Sequence, residues 1–345
     1  MTRPLGVAVI GAGYWGPNLV RNFSASPLTE LVWVCDVSTE RAEATARAWG
    51  GGTAGVTASV DDVLADPRVD AVAIATPAST HAAIGLSALD AGKHVLIEKP
   101  LAPSSEEAEK LVVAARDNDL VLMCDHTYCY SPAVQHIREW VHDGVVGQVR
   151  YFDSTRINLG LVQSDIDVFW DLGPHDLSIL DFVLPPGAGP VGVAAHAADP
   201  LGVGHPCVGF LSMPLAGGGI AHINLNWLSP TKIRRTIIGG SEKMLVWDDL
   251  EPAYRLRMFD KGVDMSESEL EGEDRRELLV SYRTGDMVAP ALPEVEALSQ
   301  VVAEFAYAVR ERRRPATDGE AGLRVVRILE AAQRSLDAGG VVVSL

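Results

Sequence analysis

Residues 5–16 read LGVAVIGAGYWG, a short apolar run that feeds directly into a GxGxxG loop. Few local patterns restrict a fold more. A continuous apolar run of this length reads as a strand buried on both faces. The three glycines have separate tasks: Gly11 permits a tight turn, Gly13 lets backbone approach a ligand, and Gly16 allows close packing of helix on strand. The next residues, NLVRNFSA, read as a helix, and Pro17 stands in its first turn, where a missing N–H costs little. The loop, Gly11 to Gly16 with Tyr14 and Trp15 between, therefore faces unpaired N–H groups and the positive end of a helix dipole, which suit a pyrophosphate. ELVWVCD (30–36) reads as a second strand, ending in Asp36 ~20 residues beyond the loop. A carboxylate there accepts hydrogen bonds from both adenosine ribose hydroxyls and repels a 2′-phosphate, so the expected dinucleotide is NAD and not NADP.

The alternation continues through about residue 125. Strand-like VDAVAIATP (69–77), KHVLIEKP (93–100) and LVLMC (120–124) are separated by helix-like THAAIGLSALDAG, closed by Gly92, and SSEEAEKLVVAARDND, opened by Ser104 or Ser105. That rhythm predicts an α/β domain with a mostly parallel, doubly wound sheet over residues 1–125. After Cys124 the pattern changes. A helix over about 132–142 and a strand from Val149 lead to Gly- and Pro-punctuated runs such as GIAHINLNWL, KIRRTIIGG and KMLVWDD. These predict an α+β domain over 126–345 with a mainly antiparallel open sheet, an irregular acidic surface excursion over 261–290 and two late helices.

Composition narrows the partners. A net charge of −17 argues against nucleic acid or an anionic membrane surface, which need a basic footprint. RERRRP (310–315) is too short to change that and reads as a basic helix end. No apolar run approaches membrane-spanning length. The four cysteines form no CxxC pair and no dense scaffold, which fits a reducing cytoplasm. Cys124, Asp125, His126 and Cys129 lie close in sequence, but their spacing matches no standard zinc signature, so no metal is expected.

Two further stretches carry chemistry. IEKP places Glu98 and Lys99 just past a central strand, on the edge where open α/β sheets bind ligands. DVFWDLGPHDLSIL (167–180) places Asp171 and His175 four residues apart, hence on one helix face. The spacing puts His175 in the first turn beside Pro174, where the dipole disfavours imidazolium and leaves the ring neutral, as a base requires. The plainer alternative is that Asp171 caps a helix and His175 is structural.

Together these motifs resemble the glucose–fructose oxidoreductase/inositol dehydrogenase (Gfo/Idh/MocA) family. The resemblance runs through VAVIGAGYWG, the ATPASTH turn (75–81), EKP (98–100), DLGPHD (171–176) and the Pro315-x-x-Asp-Gly319 segment. It implies a Rossmann domain followed by an α+β domain with an open sheet often used for oligomerisation, and so a homo-oligomer, dimer or tetramer. It also implies NAD(P)-dependent chemistry at a carbinol carbon, with Lys99, Asp171 and His175 catalytic and Thr76, Pro77 and His81 near the nicotinamide ribose. GYWGPNLVRNF, HTYCYSPAV and DSTRINLG are further similar to a branch of nucleotide-sugar 3-oxidases in surface-polysaccharide and antibiotic-sugar pathways. That likeness implies a nucleotide-linked sugar and the C3 hydroxyl as the site of oxidation; Arg156 and Asn158 are candidates to hold sugar hydroxyls or phosphate, and Tyr128 to line the substrate cleft. Arg156 reads equally as half of an ion pair, and Tyr128 as packing.

The expected reaction is removal of a hydroxyl proton by His175, stabilisation of the oxygen by Lys99 and hydride transfer to the nicotinamide, with Asp171 orienting. Lys99 and His175 can exchange roles. Oxidation of a free sugar or cyclitol is the alternative substrate class. A non-catalytic NAD sensor is the alternative of another kind, and a proton-transfer group argues against it.

Overall fold

The computed structural model describes residues 3–160, 162, 166–268 and 277–345, with backbone alone over 263–268 and 277–282. In chain order the elements begin β1 (Leu5–Ile10), α1 (Gly16–Ala25), β2 (Thr29–Cys35), α2 (Thr39–Trp49), β3 (Gly55–Thr57) and α3 (Val60–Ala65). Next come β4 (Ala71–Ile74), α4 (His81–Asp90), β5 (His94–Glu98), α5 (Ser105–Asp117), β6 (Leu122–Asp125), α6 (Pro132–His142), β7 (Val149–Leu159) and α7 (Val168–Val183). The rest are β8 (Gly192–Ala198), β9 (Val208–Pro214), β10 (Ile220–Asn226), β11 (Leu228–Gly240), β12 (Met244–Asp248), β13 (Leu256–Ser268), β14 (Glu277–Val288), α8 (Ala297–Glu311), α9 (Gly319–Asp337) and β15 (Val343–Ser344).

The chain divides into two compact units. The first comprises Met1–Pro132, Leu177–Phe182 and Glu294–Glu330. Its six strands are all parallel, in the order β3-β2-β1-β4-β5-β6, the doubly wound arrangement that the alternating rhythm predicts. Val7, Val9, Val72, Ile74, Val95 and Ile97 are fully or almost fully buried, as strands covered by helices on both faces require. Ser38, Ser59 and Ser104 cap α2, α3 and α5 by accepting a backbone N–H in the first turn. The late segment completes this core. Phe305 of α8 meets Phe23 of α1 edge-on with centroids 6.5 Å apart, and Arg21 pairs with Glu296. Thr317 bonds β6 through both its backbone carbonyl and its hydroxyl, at the Cys124 N–H and C=O. The parallel sheet ends with β6 at Asp125, whereas the compact unit runs on to Pro132 and recruits residues from much further along the chain, because α1 and β6 need apolar cover.

The second unit comprises Ala133–Asp176, Val183–Pro293 and Ala331–Leu345. Its nine-stranded sheet runs β14-β13-β12-β11-β7-β10-β9-β8-β15 and is antiparallel except for the β7–β10 pair. On β10, Ala221, Ile223 and Leu225 point into the core, while Ile220 lies on the other face with its register partner Tyr151, both exposed.

The irregular excursion expected over 261–290 is corrected by the structure. β13 and β14 form an antiparallel pair there, registered from Ser268↔Glu277 to Met258↔Val288. A ladder is held by backbone groups that every residue carries, so charged side chains on strands near a sheet edge hide the alternation a sequence is read by. The acidic stretch 269–276 lies outside the described residues.

Candidate functional site

At the carboxyl edge of the parallel sheet, the loop after β1 is built as its glycines demand. Gly11 has φ 100°, and a Cβ on it would stand 2.5 Å from the Ala75 carbonyl oxygen. A Cβ on Gly16 would stand 1.9 Å from the Gly11 oxygen, so neither position tolerates a side chain. Gly13 is different: a Cβ there would meet nothing within 4 Å, because this backbone faces open space. Trp15, at the N-cap of α1, contributes no side-chain cap. Pro17 has no N–H and the Asn18 N–H donates to the Trp15 oxygen at 2.9 Å, so what α1 offers an anion is the positive end of its dipole, beside exposed backbone that a pyrophosphate can approach. Tyr14, 92% exposed, projects from the loop apex. The residues present fit a dinucleotide.

Asp36, 7% exposed, ends the neighbouring strand and braces this loop. Its Oδ2 accepts from the Ala12 N–H at 2.7 Å, and its Oδ1 accepts from the Ser38 N–H at 2.8 Å and from the Arg41 guanidinium at 2.9 Å. Burial pushes the carboxyl up, but the two N–H groups and Arg41 outweigh it and hold Asp36 below the ordinary carboxylate range. It is therefore an anion at neutral pH, as a ribose acceptor must be. Arg41 escaped the sequence reading because only the fold turns it back onto Asp36. For Asp36→Ala we expect NAD affinity to fall by about tenfold to a hundredfold and the preference over NADP to shrink, since Arg41 is then free to meet a 2′-phosphate. Calorimetric titration with both dinucleotides checks this; unchanged selectivity would remove Asp36 from that role.

Thr76 and Pro77 follow β4, and Lys99 follows β5, joined to Pro100 by a cis peptide. His81 does not face open space. Its ring is buried, with Nδ1 at 2.8 Å from the Pro100 oxygen and Nε2 at 2.9 Å from the Thr76 oxygen. Burial lowers its pKa. It ties the turn after β4 to the residue after Lys99, so it sets the spacing of two candidate site segments and is not exposed to contact a ribose. Lys99 is half-buried, and its backbone N–H donates to the Glu98 carboxylate. On the adjacent strand Asp125 is almost wholly buried and accepts from Thr127 Oγ1 at 2.7 Å and from Trp15 Nε1 at 3.3 Å. The His126 ring is buried too, with neither nitrogen hydrogen-bonded among the described residues. Burial, and then the charges of Lys99 and Arg324, push its pKa down to about 3. Tyr128 lies half-buried in the turn that follows. Among the described residues no group of three or more His, Cys, Asp or Glu is placed to hold a metal ion.

The second unit carries the other candidates. Helix α7 starts at Val168, earlier than the spacing predicts, because Asp167 accepts the N–H groups of Phe169 and Trp170 at 2.8 and 3.0 Å. His175 therefore stands about two turns inside the helix and Pro174 is interior, which corrects the first-turn placement. The dipole argument weakens accordingly, since that field fades after the first turn. The shared face survives. Asp171 Oδ2 accepts from the Trp227 indole at 3.0 Å, and the His205 ring packs edge-on against that indole, centroids 6.2 Å apart. Asn158 belongs to the same corner: a Cβ on Gly160 would stand 2.9 Å from Trp227 Cδ1 and 3.3 Å from Asn158 Nδ2.

Arg156 is placed otherwise. It is 3% exposed, and its Nε donates to Asp176 Oδ2 at 2.5 Å. This is the ion-pair alternative, and a guanidinium so buried presents no surface to a phosphate. Trp227 and His205 were missed, and Asp125 was weighed only as part of a zinc-like cluster, for one reason. Their partners are remote in sequence, 56 residues for Trp227–Asp171 and 110 for Asp125–Trp15.

Comparison with known proteins agrees with this architecture. The GFO_IDH_MocA model, an oxidoreductase family with an NAD-binding Rossmann fold, matches residues 5–126. The model of its C-terminal alpha/beta domain matches residues 138–345. A UDP-N-acetylglucosamine 3-dehydrogenase of Acidithiobacillus ferrooxidans is 31% identical over 92% of this chain and 93% of that one. A solved structure of that enzyme covers 98% of this chain and 99% of its own, with a TM-score of 0.80 and 28% identity. GenD2 from gentamicin A biosynthesis, solved with NAD, covers 100% of this chain and 97% of its own, with a TM-score of 0.81 and 25% identity. An inositol 2-dehydrogenase of Rhizobium meliloti is 24% identical over 95% of this chain and 96% of that one. With both family models matched end to end over a sheet, a glycine loop and an acidic strand end of the required form, the chain belongs to the Gfo/Idh/MocA family of oxidoreductases, and NAD is its cofactor.

Proposed function

We propose that the protein oxidises the C3 hydroxyl of a nucleotide-activated sugar to a ketone. The observation that carries this reading is the full-length similarity to a UDP-N-acetylglucosamine 3-dehydrogenase, at 31% identity. NAD, when bound, supplies the hydride acceptor. The residues of the chain do the rest. The imidazole of His175 accepts the hydroxyl proton. The Lys99 ammonium holds the oxygen as negative charge develops on it, an interaction that strengthens toward the transition state. Asp171, its carboxylate fixed by Trp227, orients a sugar hydroxyl or its helix neighbour His175. Asn158 and Tyr128 supply substrate contacts. Four buried cysteines, none of them in a disulfide, support a reducing cytoplasm as the setting. The exposed sheet face that carries Tyr151, Phe210 and Ile220 supports a homo-oligomer, dimer or tetramer.

The test is a panel of UDP-, dTDP- and GDP-sugars alongside free inositols, read by absorbance of the reduced nicotinamide with NAD and NADP. We expect UDP-N-acetylhexosamines to exceed every free cyclitol in kcat/KM by at least about a hundredfold, because diphosphate contacts contribute binding energy that a cyclitol lacks. Turnover of inositols alone would replace this reading with the cyclitol one.

A further inference from the structure

The dinucleotide loop is fastened at two places, and only one of them belongs to the glycine fingerprint. At its entry, the Gly11 N–H donates to the Cys35 oxygen at 2.7 Å and the Ala12 N–H donates to Asp36, so β2 holds this end. At its exit the partner is β6. The Trp15 Nε1–H reaches Asp125 Oδ2, although β1 and β6 are three places apart in the sheet, a span of ~14 Å at the usual strand spacing. Between the two fastenings lie Gly13 and Tyr14, both exposed.

Asp125 is an expensive residue to use for this. It is 1% exposed, and burying a carboxyl costs free energy unless its oxygens are met. Each oxygen accepts one bond, from Trp15 and from Thr127. Burial pushes its pKa up, and Thr127, Trp15 and the Lys99 charge oppose that shift. In parallel register Asp125 stands opposite Glu98, the residue before Lys99. The carboxyl therefore touches the loop on one side and feels the Lys99 ammonium on the other.

We propose that Trp15 and Asp125 are a positioning pair for NAD: the indole N–H and the buried carboxyl fasten the exit of the dinucleotide loop to β6, beside the strand that carries Lys99. Neither residue needs to touch the reacting atoms. The pair fixes the height of the loop apex above the sheet, and with it the seat of the pyrophosphate. The inference deepens the reading of Lys99 as a site residue, but its test is a binding measurement that requires no turnover.

NAD affinity of the full chain is measured by calorimetry for Trp15→Phe, Asp125→Ala, Asp125→Asn and the Trp15→Phe/Asp125→Ala double variant. Phenylalanine keeps the ring and loses the donor. Asparagine keeps an acceptor for the indole and offers its amide N–H to Thr127 Oγ1, so it preserves both bonds without the charge. We expect Trp15→Phe and Asp125→Ala each to weaken NAD about tenfold, and the double variant to be no worse than about tenfold, because both remove the same bond. Asp125→Asn stays within about twofold of the unmodified protein because both bonds remain, whereas a role in packing alone would leave Trp15→Phe and Asp125→Ala uncoupled. Two losses that multiply to about a hundredfold would overturn the pair, as would an Asp125→Asn variant as weak as Asp125→Ala. Should Asp125→Ala not fold, Trp15→Phe with wild-type affinity, or Asp125→Asn with tenfold loss, decides against the proposal alone. Failure of the Lys99 assignment is seen separately, in turnover, and leaves these affinities untouched.

Discussion

We expect Lys99→Ala to lower kcat by about a thousandfold while NAD still binds, and His175→Ala to behave likewise. The expectation rests on where each side chain stands. Lys99 leaves the carboxyl edge of the parallel sheet, half-buried, on a segment fixed from below by the His81 ring between Thr76 and Pro100. A group held this way is preorganised, and removal of a preorganised donor costs more than removal of a mobile one. His175 is fixed as firmly, two turns inside α7 and next in sequence to the buried Asp176. With NAD assigned to the loop after β1 and to Asp36, we expect loss of either candidate to leave the calorimetric affinity for NAD near that of the unmodified protein. Rates come from the appearance of reduced nicotinamide at saturating sugar. Wild-type turnover in either variant would falsify the role given to that residue. A graded result, in which one loss removes catalysis at every pH and the other only below neutrality, would identify the base.

Asp176→Ala destabilises the protein by about 3–5 kcal/mol. Asp176 and Arg156 are both almost fully buried, bonded at 2.5 Å, and Ser154 adds a hydroxyl to Asp176 Oδ1 at 2.7 Å. Taking away the carboxylate removes the bonded counter-charge of a buried guanidinium, which costs far more than the pair contributes in place. The joint replacement Asp176→Leu/Arg156→Met should recover most of the loss, because no charge is then left buried. Urea titration and thermal melting of the three proteins measure it. A single variant as stable as the parent would show that water reaches the pair. The residue matters to function as well, since it binds α7 to β7 one position after His175.

What could be read in advance follows a physical line. The strand–loop–helix unit, Asp36 and the strand-end Lys99 were legible because each is dictated by local backbone rules or by position along one strand. The start of α7 was not: Asp167 captures two N–H groups before the apolar periodicity becomes visible, and His175 moves from the first turn to the interior. The antiparallel pairing of β13 with β14 was hidden by charge, which backbone pairing tolerates. Arg156 was legible only as a choice between a ligand contact and an ion pair, and burial decides it. His81 looked like a ribose contact because its turn is in the right place, yet the ring points inward to two carbonyl groups. Trp227 and Asp125 had no local signature at all, since each acquires its meaning from a partner brought near by the fold.

The nucleotide-binding lobe is closed by residues 294–330, which supply Phe305 against Phe23, Glu296 to Arg21 and Thr317 to the last parallel strand. Gene-level shuffling cannot therefore treat the first third of this polypeptide as a detachable cassette. A recombinant that borrows that first third from a cousin inherits a mismatched clasp unless the tail travels with it, so front and tail should drift together in evolution.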